Sequence, residues 1–235
     1  MTISHQREVQ RISDEFDRRD REYTSERYAL DRSENLFIRH GQERALLTAL
    51  RRARLLPLAD RRILEVGFGF GRWLTTFEEL GARRELLSGI ELSEQRAGAT
   101  RHHFPTADLR QGDATELPWN DGEFDIVFQS TMFTSILDPN VQAAIAREML
   151  RVLKPKGCIV WYDFVFSNPV NSNVRGVPPR RIAELFPECK IWSKRVTLAP
   201  PLARRIVPIS WTLSCFFESL RVLNTHCIAT LRSRG

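Results

Sequence analysis

The stretch Ile63-Leu64-Glu65-Val66-Gly67-Phe68-Gly69-Phe70-Gly71 holds the residues whose types and spacing speak most directly to chemistry. An apolar run of strand character carries one acid and ends in three glycines at every second position. Glycine tolerates positive φ and lets a ligand approach the main chain closely. A helix beginning at Arg72 adds free N–H groups beside that ligand. A pyrophosphate-binding loop of the G-x-G-x-x-G kind wants its third glycine one residue later, where Arg72 stands. Glu65, two residues before Gly67, brings a carboxylate to the same crevice. A carboxylate there repels a pyrophosphate and suits a positively charged amino acid group.

The elements that must position this loop follow from the hydrophobic pattern. Residues 1–56 read as helical, with Val9, Ile12 and Phe16 and then Leu36, Phe37, Ala45, Leu46 and Leu50 at three- to four-residue spacing. Pro57 closes that segment. Short β-rich runs then alternate with helices: strands at Arg62–Val66, Glu85–Glu91, Leu109–Gln111, Phe124–Gln129 and Cys158–Asp163, with helices between them. Asp138-Pro139 reads as a helix start, Asp as N-cap and Pro in the first turn. The alternation predicts an α/β fold with a doubly wound, mostly parallel sheet and helices on both faces. Beyond it, Pro178–Phe186 and Ser210–Val222 read as helices, and Lys190–Leu198 and His226–Leu231 as strands, giving a seven-stranded Rossmann-like sheet. Residues 1–58 are expected to form an N-terminal helical cap, and 59–235 the main domain. Acceptor-wall insertions are expected near 168–179 and 198–210.

In this order of motifs the chain resembles the class I S-adenosylmethionine-dependent methyltransferases, firmly over residues 60–165 and loosely elsewhere. Glu65 to Gly71 matches their first motif, and the resemblance implies that Glu65, Gly67, Phe68, Gly69 and Gly71 bind the cofactor. Gly89-Ile90-Glu91-Leu92 is similar to the acid ending their second strand, which implies that Glu91, with Leu92, meets the ribose hydroxyls. Gln111-Gly112-Asp113-Ala114 is similar to their adenine-side acid, with Asp113 and Ala114 in that role. Leu117 to Val127 resembles the approach to strand four, and Arg151 to Gly157 the turn into strand five, with Lys156 where a second Gly is usual. S-adenosyl-L-methionine is the implied cofactor and S-adenosyl-L-homocysteine its product.

Ligands of such sheets bind outside the carboxyl ends of the strands. Gln129, Phe133 and Tyr162 lie at those ends and are expected to face cofactor or acceptor. Asp163 and His226 are the candidate general bases, since an oxygen acceptor needs its proton removed; a structural carboxylate and a core histidine are the plain alternatives. Tyr23 and Tyr28 are the aromatic candidates of the lid, and Arg175, with Arg204 and Arg205, suits a phosphate or carboxylate on the acceptor. Solvent suits those arginines equally.

Composition bounds the rest. The 235 residues are 42% hydrophobic and 27% charged, as in an ordinary globular protein. No run approaches the ~20 apolar residues of a membrane span, and residues 1–21 lack the apolar core of a signal peptide, so a cytoplasmic location is expected. The four cysteines form no C-x-x-C pair, so buried reduced thiols are expected and no metal site is. The net charge of +6 is uneven: about +3 over residues 1–62, −5 over 63–174 and +8 over 175–235. The basic tail suits an anionic or glycan-derived partner, or simply a solvated surface, and a homo-oligomer is compatible with it. Gln129-Ser130-Thr131-Met132 is not the Asp/Asn-Pro-Pro-aromatic motif of nucleic-acid adenine methyltransferases, so no nucleic-acid partner is expected. The expectation is metal-independent methyl transfer to a small molecule, O-methylation of a sugar or natural product above all. Alternatives are N-methylation of a small amine, a non-catalytic cofactor-binding protein and, last, an NAD(P)-dependent oxidoreductase.

Overall fold

Side chains on a strand alternate between faces, and the central strands carry consecutive apolar residues at Ile63-Leu64, Ile126-Val127-Phe128 and Ile159-Val160-Trp161, as a sheet covered on both sides requires. The computed structural model describes residues 3–22, 29–168 and 171–234. Its strands are β1 (Ile63–Val66), β2 (Leu87–Glu91), β3 (Asp108–Gln111), β4 (Phe124–Ser130), β5 (Leu153–Phe164), β6 (Cys189–Leu198) and β7 (Asn224–Ser233). They form one seven-stranded sheet in the order β3-β2-β1-β4-β5-β7-β6. The first five pair in parallel, and β7 runs antiparallel to both β5 and β6. The reversal of strand order falls between β1 and β4, where an open parallel sheet leaves its ligand crevice.

The helices are α1 (Ile3–Glu22), α2 (Ser33–Arg52), α3 (Arg72–Glu79), α4 (Glu94–His103), α5 (Pro139–Arg151), α6 (Pro179–Leu185), α7 (Pro200–Ile206) and α8 (Trp211–Ser219). Ile159 and Trp161 of β5 pack with α5 and α6 on one face, while Cys158, Val160 and Tyr162 pack with α2, α3 and α4 on the other. A smaller cluster of Phe37, Leu198, Ala203 and Val207 sits under α7 and α8. Thus α2 is built into the sheet's packing, whereas α1 adds only Ile12 to the buried core. Helix starts obey local chemistry: the Ser93, Asp138 and Ser210 side chains accept N–H groups of α4, α5 and α8.

Pro200-Pro201 opens α7, because a first helical turn needs no N–H from proline. The expectation of four buried thiols needs one correction: Cys215 is exposed, while Cys158, Cys189 and Cys227 are buried. No helix among the described residues is long and apolar enough to cross a membrane.

Candidate functional site

The carboxyl ends of β1, β2, β3 and β4 surround a cavity of about 290 Å³. β1 delivers Glu65 and the loop Gly67-Phe68-Gly69; β2 delivers Ile90, Glu91 and Leu92; the turn after β3 delivers Gly112, Asp113 and Ala114. Gly67 has φ +77, and a Cβ there would meet the Met132 side chain at 3.1 Å, so glycine is required on both counts. Gly71, expected to touch the cofactor, lies outside the cavity. A Cβ on it would fall 2.5 Å from Thr100 Cγ2, so this glycine lets the loop pack on α4.

Glu91 is buried and organises the loop: its Oε2 accepts the Gly69 N–H at 2.9 Å and its Oε1 the Ser93 N–H at 3.0 Å. Asp113 accepts the Thr115 N–H at 2.9 Å and meets His5 Nε2 of α1 at 2.5 Å. Glu65 is 1% exposed and its Oε2 has no partner. Burial pushes its carboxyl well above the usual range; Arg72 pulls it back and Glu91 adds to the rise. Arg72 opens α3 on the same cavity with Nε and Nη2 both buried and unpartnered, its guanidinium 4.2 Å from the Trp73 ring centroid. Glu65 and Arg72 form no ion pair. Buried polar groups left unpaired are costly, so a ligand that brought a cation to Glu65 and an anion to Arg72 would relieve both. By spacing alone Arg72 is the residue out of place in a dinucleotide loop; a cation one residue past the glycines, on the same cavity as an acid, is the signal that marks it.

α1 roofs the cavity with Val9, Ile12 and Phe16. Glu8 accepts the Leu137 and Asp138 N–H groups, at 2.5 and 3.2 Å. Arg96 of α4 holds Asp20 through two bonds of 2.9 and 2.7 Å and lies 4.3 Å from the Phe16 ring centroid. The far wall comes from Ser130, Thr131 and Met132 after β4 and from Ile136, Val141 and Ile145 around α5. Thr131 is held at φ +54, an uncommon conformation for a β-branched residue, by its N–H to Tyr162 O at 2.8 Å.

Several expected site residues sit elsewhere. Gln129 is fully buried and pins the β4 exit, its Oε1 accepting the Met132 N–H at 3.3 Å. Phe133 is fully buried against Trp161, with ring centroids 4.4 Å apart. Tyr162 points into the α2 side, where its hydroxyl meets Gln42 Nε2 at 3.1 Å and Thr197 Oγ1 at 2.9 Å. Asp163 is fully buried, accepting the Phe164 N–H at 2.8 Å and the Thr134 N–H at 3.3 Å. Burial pushes its carboxyl up to about 7, those hydrogen bonds opposing the rise. His226 stacks on Tyr162 and lies against Phe164, and burial pulls it down to about 3. None of these five lines the cavity; their side chains are held in the packed interior instead. Arg175 is exposed outside the cavity. Tyr23 and Tyr28 lie outside the described residues.

Comparison with known proteins agrees with this geometry. A family described as a methyltransferase domain matches residues 63–157, from β1 to the start of the apolar part of β5. Phthiotriol/phenolphthiotriol dimycocerosates methyltransferase 1 of Mycobacterium ulcerans is 30% identical over 146 residues, 57% of this chain and 50% of that protein. Demethylmenaquinone methyltransferase of Clavibacter sepedonicus is 33% identical over 141 residues, 58% and 54% respectively. The chain thus spans about half the length of these curated relatives. Among solved structures, an S-adenosylmethionine-dependent methyltransferase from Mesorhizobium loti superposes with a TM-score of 0.57 at 16% identity, covering 80% of this chain and 97% of that one, which shows a shared fold. Residues 63–157 thus match a methyltransferase domain, and the chain shares the fold of an S-adenosylmethionine-dependent methyltransferase.

Proposed function

We propose that the protein transfers a methyl group from S-adenosylmethionine to an ionisable hydroxyl on a small natural product with a largely apolar body. The observation that carries the donor half is the pair of unpartnered buried groups, Glu65 Oε2 and the Arg72 nitrogens, beside the glycine loop. S-adenosylmethionine supplies, when bound, an already activated methyl group, so the protein's task is alignment. Glu65 and Arg72 would hold the amino acid end, Glu91 the ribose hydroxyls, and Asp113 and Ala114 the adenine side, while α1 keeps water out.

The acceptor half rests on the walls. Ile12, Phe16, Ile136, Val141 and Ile145 suit an apolar body better than a sugar. The cavity's carboxylates, Glu65, Glu91 and Asp113, are committed to the donor, and the candidate bases Asp163 and His226 do not reach it. Ser130 and Thr131 can orient a hydroxyl but are poor bases, so the acceptor supplies its own acidity as a phenol or enol.

Incubation with methyl-labelled S-adenosylmethionine and a panel of phenols, enols, aliphatic alcohols and amines tests both halves. Label in the phenol or enol products supports the reading. Label in amines or sugars alone overturns the acceptor half, and binding of both sulfur compounds with no transfer to any of them points to a binding protein.

A further inference from the structure

Ten large apolar side chains are exposed among the described residues, and six of them fall between residues 209 and 222. Ile209, Leu213, Phe216 and Leu220 recur at four-, three- and four-residue steps, one stripe along α8 and its flanks. Ile209 is 82% exposed and Phe216 58%. A lone monomer rarely leaves so concentrated an apolar surface in water. The stripe is not the result of a loosely placed helix. The opposite face of α8 is anchored by buried Ser214, by Trp211 edge-on to Phe37 at 5.1 Å, and by Glu218 bonded to Arg44 at 2.6 Å.

Charge surrounds the stripe with one sign. Beyond Glu188 the chain carries eight Lys and Arg residues and a single acid, Glu218, which Arg44 already holds. Beside α8 opens a second cavity of about 450 Å³, walled by Arg44, Lys194, Arg195 and Arg221. Among the described residues Lys194 and Arg221 form no ion pair, and Arg195 donates to the backbone carbonyls of Val222 and Asn224. An exposed apolar stripe next to a basic recess is the pattern of a helix that lies in a bilayer interface.

We infer that this face docks on an anionic phospholipid bilayer, the α8 stripe entering the headgroup boundary and the basic recess taking lipid phosphate. A second copy of the chain would bring the same positive charge against this face, whereas an anionic bilayer neutralises it. α2 links the surface to the cofactor cavity: Phe37 and Arg44 lie under α8, and Gln42 lines the cavity. The inference stands apart from the methyl-transfer reading, because it uses neither cofactor nor acceptor.

The test is sedimentation of the whole protein with vesicles of phosphatidylcholine alone and of phosphatidylcholine mixed with phosphatidylglycerol. Partition onto the mixed vesicles is expected to be at least about tenfold stronger, and to weaken with salt. Replacing exposed residues by Leu213→Ser with Phe216→Ser should abolish it, and Lys194→Glu with Arg221→Glu should erase the preference for phosphatidylglycerol. Quenching of Trp211 fluorescence by brominated acyl chains reads the same docking without a variant, Trp211→Phe identifying the responding ring. Absence of binding to either vesicle overturns the inference, as does equal binding that ignores both substitution pairs. So does a dimer in sedimentation velocity that the serine pair splits while no vesicle binds, which would assign the stripe to a second copy.

Discussion

Glu65 and Arg72 are seven residues apart in sequence and reach the same cavity because a strand ends and a helix begins between them. Arg72→Met should weaken S-adenosylmethionine and S-adenosylhomocysteine alike by roughly 10- to 100-fold, the worth of a charged hydrogen bond. Adenosine, which lacks the amino acid end, should bind as before in calorimetric titration; a parallel loss of adenosine would instead show a damaged loop. Asp163 makes a different prediction. Its carboxyl, raised to about 7 from 3.8 by burial, stays protonated in the folded protein where the unfolded chain has lost its proton. Stability therefore falls as pH rises from about 4 to about 7. Asp163→Asn should flatten that slope and be the more stable protein at pH 8 by at most about 4 kcal/mol, read from urea titrations. His226 acts in the opposite direction: lowered to about 3, it stays neutral when folded, so its contribution is lost as pH falls below about 6.5.

α1 adds little to the buried core and much to the cavity. Its Ile12 is the one α1 side chain in the buried apolar core, while Glu8, His5 and Asp20 tie it to the rim at Leu137, Asp113 and Arg96. Glu8→Ala removes a carboxylate that accepts two N–H groups, at about 1–3 kcal/mol. Amide exchange in α1 should accelerate by roughly 5- to 100-fold, with the sheet's protection unchanged. Equal acceleration in β1 and β4 would show instead that α1 is part of the cooperative core. α7 owes its place to tertiary packing: the cluster of Phe37, Leu198, Ala203 and Val207 gives that short segment a buried face.

For the whole molecule, ligand linkage gives the broadest check. S-adenosylmethionine at about 100 times its dissociation constant should add ~2.7 kcal/mol to stability, and raise the melting temperature by about 5–10 °C for a chain of this size. NAD(P)H should leave it unmoved; a shift with NAD(P)H alone would overturn the donor assignment. The sequence by itself determined the alternation of strands and helices, the glycine loop and the acids at the ends of β1, β2 and β3. These are local signals, since period, capping and φ > 0 are set within a few residues. Only the tertiary structure decided which way each side chain at the ends of β4 and β5 faces. Phe133, in the short 3-10 turn after β4, and Tyr162 and Asp163 of β5 stand near the reacting end in sequence, but Trp161, Gln42 and the Thr134 amide hold them in the interior. The hydrophobic, basic segment Ile206–Leu223 stands out in the sequence as suited to a membrane surface, a second subunit or the core alike, because Ile209, Leu213, Phe216 and Leu220 also have the spacing of a core stripe. Their exposure is fixed by Ser214 and Trp211, which hold the other side of α8 against α2 and its neighbours.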